Sequence, residues 1–218
     1  MNITKTKAKN VLKIVRAGLR KGGNGDPTPG NMCVEQAVCI GLGLPFSDNP
    51  ECVDSVYRSF KIRLNDANWS SNKTRAKGME RSALVQLGSK GTIDSEALRL
   101  GLVKLAQGKW LPKIMRMIAD KYENKEEIIE AALLCEQDPN SVNCISAEKL
   151  LRKTAAYAAD AADAAYAAAA ADAAAADARD KFLAEAAEDG VQLMVSLGAP
   201  GAKWLELAPL GGTISGRD

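Results

Sequence analysis

The stretch AAYAADAADAAYAAAAADAAAADA, residues 155–178, is alanine at 18 of its 24 positions. Alanine is the strongest helix former, and no Gly or Pro follows until Gly190. The spacing predicts one helix opening at Ser146, with Glu148 in its first turn, and reaching about Glu188. At about 1.5 Å per residue that helix would span roughly 60 Å. Tyr157, Asp160, Asp163, Tyr166 and Asp172 form a polar stripe at multiples of three residues. Such a stripe drifts around a helix, and the surrounding alanines let another helix approach closely. Alanine buries too little apolar area to hold the segment in place by itself. It is therefore expected to pack as a helical hairpin or an oligomerisation element, and the chain as a whole is expected to be all-α.

Working outward, every other periodic segment also reads as helix. Val11, Leu12, Val15 and Leu19 share one face of a first helix, expected to stop near Gly22 in the breaker-rich run from Lys21 to Gly30. Further helices are expected from Asn31 to Gly41, from Glu51 to Asn65, from Lys73 to Leu87, and from Asp94 to Gln107, the last stopped by Gly108. Pro112 suits the first turn of a helix to about Tyr122. Asn124 can cap another from Lys125 to Cys135, with Glu126 and Glu127 in its favourable first turn. Gly190 should separate the alanine helix from a short apolar one, and Trp204 provides a late aromatic anchor. This organisation divides the chain into a basic helical region, 1–122, and an acidic region, 123–218.

Charge follows the same division. Lys and Arg number 21 against 11 Asp and Glu up to Asn124, and 8 against 16 beyond it. Such asymmetry fits either a basic binding surface or two halves that pack together or pair between subunits. No apolar run approaches the roughly 20 residues of a membrane span, so no membrane partner is expected. Five cysteines form an odd set with no C-x-x-C spacing, which argues against a secreted disulfide framework and for the cytoplasm. The chain has no histidine, which removes His-based triads, His metal sites and the usual near-neutral base. No phosphate-binding Gly-rich motif is present. No cofactor and no metal site are expected.

Two segments retain chemical interest. At Cys33 and Glu35 a Gly/Pro loop meets a helix start, where free backbone N–H groups attract anions and would depress the pKa of a thiol. Cys33 would then be a nucleophile with Glu35 beside it; the plainer reading is a capped helix with Cys33 packed inward. The second segment gathers Arg63, Asn65, Asp66, Trp69, Ser70, Ser71, Asn72 and Arg75 around a helix break. Arg63 and Arg75 can grip phosphates, Asn and Ser can bond base or sugar edges, and Trp69 can stack on a ring. Equally, Trp69 can anchor the loop while Ser70, Ser71 and Asn72 cap the next helix.

The runs Asn31-Met32-Cys33-Val34-Glu35-Gln36-Ala37 and Leu44 to Val53, then Lys61 to Asp66 and Trp69-Ser70-Ser71-Asn72, resemble those of a group of uncharacterised proteins of phages and bacteria. These proteins also carry an Ala/Asp/Tyr-rich helix and a closing segment like Gly198 to Leu205. The resemblance implies a phage-type accessory protein, of a kind that counters host defence, including by sequestering nucleotide immune signals in the host cytoplasm. The expectation is a non-enzymatic, homo-oligomeric binding protein whose partner is a phosphate-bearing, nucleotide-like small molecule. Two alternatives stand beside it: an inhibitor that binds a host protein or nucleic acid through its basic face, and a cysteine-dependent enzyme using Cys33.

Overall fold

A computed structural model describes residues 2–120, 122, 124–139, 141–154 and 176–210. Among these there is no strand, and the fold is all-α. The helices are α1 (Lys5–Arg16), α2 (Val34–Leu42), α3 (Ser55–Asp66), α4 (Asn72–Val85), α5 (Ser95–Leu105), α6 (Leu111–Ala119), α7 (Lys125–Gln137), α8 (Ser141–Thr154) and α9 (Ala176–Ser196). A π-turn, Ala106–Trp110, joins α5 to α6, and a 3₁₀ helix, Pro200–Leu207, follows α9. The alanine-rich segment 155–175, with the hairpin or oligomerisation role expected of it, lies outside the described residues.

Local chemistry explains where the boundaries differ from expectation. Helix α1 ends at Arg16 because Gly18 adopts a positive φ of 119° and its neighbour Leu19 turns into the core. Helix α2 starts at Val34, with Gln36 reaching back to accept the Cys33 N–H at 3.0 Å. Helix α3 starts late, because Asp54 Oδ1 accepts the N–H groups of Val56 and Tyr57. Helix α8 opens at Ser141, five residues before the expected Ser146.

Two glycines expected to stop helices do not. Gly108 sits inside the π-turn, which carries the helix onward. Pro112 gives the turn its reason: in an α-helix its ring would collide with the Gly108 carbonyl. A turn widened by one residue, with Leu111 N–H bonding Ala106 O, moves that carbonyl aside. Gly190 lies within the continuous α9, and a Cβ there would fall 2.4 Å from Phe60 Cε1. The glycine is a notch for a ring, and the neighbouring helical turns carry the helix through it.

The main core joins α1–α5, α9 and the 3₁₀ helix, with Val11, Val38, Tyr57, Met79, Leu84 and Leu183 deeply buried. A smaller cluster holds α7 and α8 against α6 through Met115, Ile118, Ile128, Ala132, Cys135 and Cys144. The acidic second half thus folds back on the basic first half. Lys5 pairs with Glu206, Arg81 with Glu188, Lys109 with Asp189, Lys113 with Glu185 and Arg116 with Glu136. Much of the charge asymmetry is thereby matched inside the molecule.

One ion pair is sealed in the core. Lys61 Nζ on α3 lies 3.1 Å from Glu35 Oε1 on α2, both side chains at 0% exposure, and Gln86 Nε2 approaches the other carboxylate oxygen at 3.4 Å. By distance Lys61 and Glu35 are paired, yet the angles fall short of a hydrogen bond. Burial dominates both groups, raising the Glu35 pKa and lowering that of Lys61, with each partner opposing the other's shift.

Candidate ligand cleft

Helix α3 carries Val56, Ser59, Phe60 and Arg63 at the spacing of one helical face. Across from them, Arg99, Leu102, Val103, Ala106 and Trp110 recur at the same spacing along α5 and the π-turn. Together these nine residues line a cleft of about 250 Å³ with an apolar floor, two guanidinium groups and no acid in its wall.

The floor is held rigidly. The Phe60 and Trp110 rings stack at 5.6 Å between centroids and 9° between planes. Trp110 Nε1 donates to Asp189 Oδ2 at 2.9 Å, and Lys109 Nζ reaches the other oxygen of that carboxylate at 2.6 Å. Helix α9 approaches this closely because Gly190 leaves room for Phe60, while Gly101 on α5 accommodates Leu193 of α9. The π-turn re-aims the residues after it, as such insertions do near functional sites. Arg99 is oriented by a two-point bond to Glu96, at 2.8 and 2.6 Å. Ser59 directs its hydroxyl to the Ser55 carbonyl, 2.9 Å away.

The residues expected around the helix break fall into two groups. Arg63 lies on the surface and lines the cleft. The others form a tightly bonded joint between α3, α4 and the 17–32 segment. Asn65, fully buried, accepts the Val34 N–H at 3.1 Å and donates to Arg20 O at 2.9 Å and Asp66 Oδ1 at 3.0 Å. Asp66 Oδ1 also accepts the Gly22 N–H at 2.8 Å. Arg75, 4% exposed, donates to the carbonyls of Asn65 and Leu19 and to Asn72 Oδ1 at 2.7–2.8 Å. Trp69 is buried against Gly78, with its indole N–H on Leu64 O at 2.8 Å. Ser71 caps α4 by accepting the Thr74 N–H, and Ser70 bonds Asp180 through both its N–H and its hydroxyl. The guanidinium of Arg75 and the ring of Trp69 thus face protein.

Cys33 and Glu35 depart from the chemistry expected of a helix start. Cys33 is 5% exposed, and burial pushes its thiol pKa up, the opposite of the depression expected there. The N–H groups of Cys33 and Val34, which would have bound an anion, are taken by Gln36 and Asn65. Glu35 faces Lys61 in the core. Burial likewise raises the Cys39 and Cys135 thiols to about 12. Among the described residues no group of three acids or cysteines is placed to hold a metal ion, and no helix is long and apolar enough to cross a membrane.

The cleft residues Val56, Phe60, Arg99 and Trp110 were not among the expected site residues. The helical phase of Val56 and Phe60 is visible in the sequence, but it reads equally well as core. Nothing in the sequence announces the π-turn. A second, shallower groove of about 460 Å³ borders Gly108, Lys109, Lys113, Arg116, Met117 and Glu136, and its three cations are already held by acids of α9 and α7. No protein-family model, curated protein or solved structure matches the chain.

Proposed function

We propose that this chain is a non-enzymatic binding protein that captures a phosphate-bearing small ligand in the cleft between α3 and α5. The observation that carries the reading is an apolar, aromatic-floored cleft with Arg63 and Arg99 on its wall and no acid among its lining residues. Ligand pockets are typically apolar, with a few placed polar groups, and run upward from about 300 Å³. A volume near 250 Å³ takes one ring-sized group, leaving the attached phosphate at the wall that carries Arg63 and Arg99, where it would compete with Glu96 for the Arg99 guanidinium. Nucleotides combine a planar ring with a phosphate and are the class that suits this shape.

The further step, that the chain is a phage-type accessory protein sequestering a nucleotide immune signal, rests on the resemblance given above. A basic face for host protein or nucleic acid has less support, because Arg81, Lys109, Lys113 and Arg116 are tied to acids of α9 and α7 that hold the fold together. The Arg99 partner, Glu96, is instead an exposed neighbour one helical turn away whose place a phosphate can take. A Cys33 nucleophile has less still, given its burial. Thermal-shift screening against nucleoside phosphates, cyclic dinucleotides, ADP-ribose and inorganic phosphate tests the proposal. Stabilisation by a ring-bearing phosphate, lost in Arg63→Ala, supports it; a well-folded sample unmoved by the whole panel overturns it.

A further inference from the structure

We infer that the outer face of the α7–α8 hairpin is the contact surface for a second copy of this chain. Leu133, Leu134, Val142 and Ile145 are 43%, 49%, 70% and 48% exposed, so half of the eight large apolar side chains left exposed among the described residues fall within thirteen residues. Contiguous apolar exposure of this kind marks an interaction site.

Helical phase places these groups on one face. On α7, Ile128, Ala132 and Cys135 point into the small core. Counted from Ile128 at about 100° per residue, Leu133, Glu130 and Leu134 lie near 140°, 200° and 240°, on the side away from it. On α8, with Cys144 inward, Lys149 and Val142 lie near 140° and 160° and Ile145 at the edge near 100°. The Asn143 amide donates to Asp138 O at 3.0 Å and reaches Leu134 O at 3.5 Å, which fixes the side of α8 that meets α7. Leu133, Leu134 and Val142 therefore share the outward surface of the hairpin near its tip.

The charges select the occupant. Glu130 stands seven residues before Gln137, where α7 ends, and Lys149 stands eight residues after Ser141, where α8 begins, so the two lie at nearly the same distance from the tip; both are exposed. A two-fold axis running along the hairpin sets α7 against α8 of the partner subunit, antiparallel and with the tips level. The apolar tips then meet, and Glu130 of each chain faces Lys149 of the partner subunit. The face is self-complementary, as an isologous dimer requires. Nucleic acid and anionic lipid are poorer occupants, because Glu126 and Glu127 continue the exposed acidic side of α7.

Sedimentation velocity from micromolar to near-millimolar protein, with circular dichroism as the folding control, tests the assignment. A dimer is expected. Leu134→Glu combined with Val142→Glu should weaken it by about a hundredfold at unchanged helicity. Glu130→Lys or Lys149→Glu should each weaken it by about fivefold, and the double swap should return the wild-type affinity. A chain that stays monomeric throughout overturns the inference. So does an oligomer whose affinity is unchanged by Leu134→Glu with Val142→Glu, which places the contact elsewhere.

Discussion

Replacing Lys61 by Met removes the cation from the sealed core and leaves Glu35 with Gln86 as its remaining polar neighbour. At 0% exposure the carboxylate cannot find water, so the folded variant holds Glu35 protonated. The unfolded chain keeps an ordinary carboxyl with a pKa of 4.5. Protonating that group costs about 1.36 kcal/mol for each pH unit above 4.5. This comes to about 5 kcal/mol at pH 8 and under about 1 kcal/mol at pH 5. The sign follows from the raised folded pKa: full stability is present below the unfolded value and is lost as pH rises toward the folded one. The magnitude at pH 8 matches the roughly 3–5 kcal/mol typical of a broken buried ion pair. Urea unfolding of Lys61→Met and of the double variant Lys61→Met/Glu35→Gln at both pH values measures it. The single variant should be far weaker at pH 8 than at pH 5, and the double variant should lose that pH dependence. An equal cost at both pH values, or a persistent pH dependence in the double variant, would refute the reasoning.

Asn65→Ala leaves the buried Val34 N–H without its partner and frees two further bonds, so it should destabilise the fold by about 2–3 kcal/mol. Ser71→Ala removes one helix cap and should cost about 1 kcal/mol, so denaturant midpoints will separate the two. Gly190→Ala gains about 1 kcal/mol of helix propensity. Its methyl group meets the Phe60 ring at 2.4 Å, however, and overpacking costs about 1–3 kcal/mol, so a net loss is expected with a changed near-ultraviolet signal from Trp110. Cys33 should react with iodoacetamide at neutral pH far more slowly in the folded protein than in urea, and rapid native labelling would contradict its burial.

Helical character was legible in the sequence because it rests on local terms: propensity, periodicity and capping by Ser71 and Asp94. What was not legible depends on distant partners. Gly190 looks like a stop until Phe60, 130 positions away in the chain, is placed against it. Gly108 looks like a stop, yet the π-turn carries the helix past it to Pro112, which sits in the first turn of α6 as its position suggests. Arg75 and Trp69 have the composition of a phosphate-and-ring site, but residue type does not say whether a guanidinium faces solvent or three carbonyl and amide oxygens of its own chain. Of that cluster, Arg63 is the residue whose helical phase turns it toward the cleft, and its companions Arg99 and Trp110 come from α5 and the π-turn that follows it. A cleft between two helices is set by their packing, which no single segment encodes.

Titration of tryptophan fluorescence with nucleoside monophosphates, cyclic dinucleotides and inorganic phosphate tests the central claim most directly, since Trp110 forms part of the cleft floor. The account predicts saturable quenching by a ring-bearing phosphate, weak in inorganic phosphate, abolished in Trp110→Phe and weakened at least about tenfold in Arg63→Ala, as expected for a lost charge-assisted contact. Quenching that survives both substitutions, or none from any member of the panel, would contradict it.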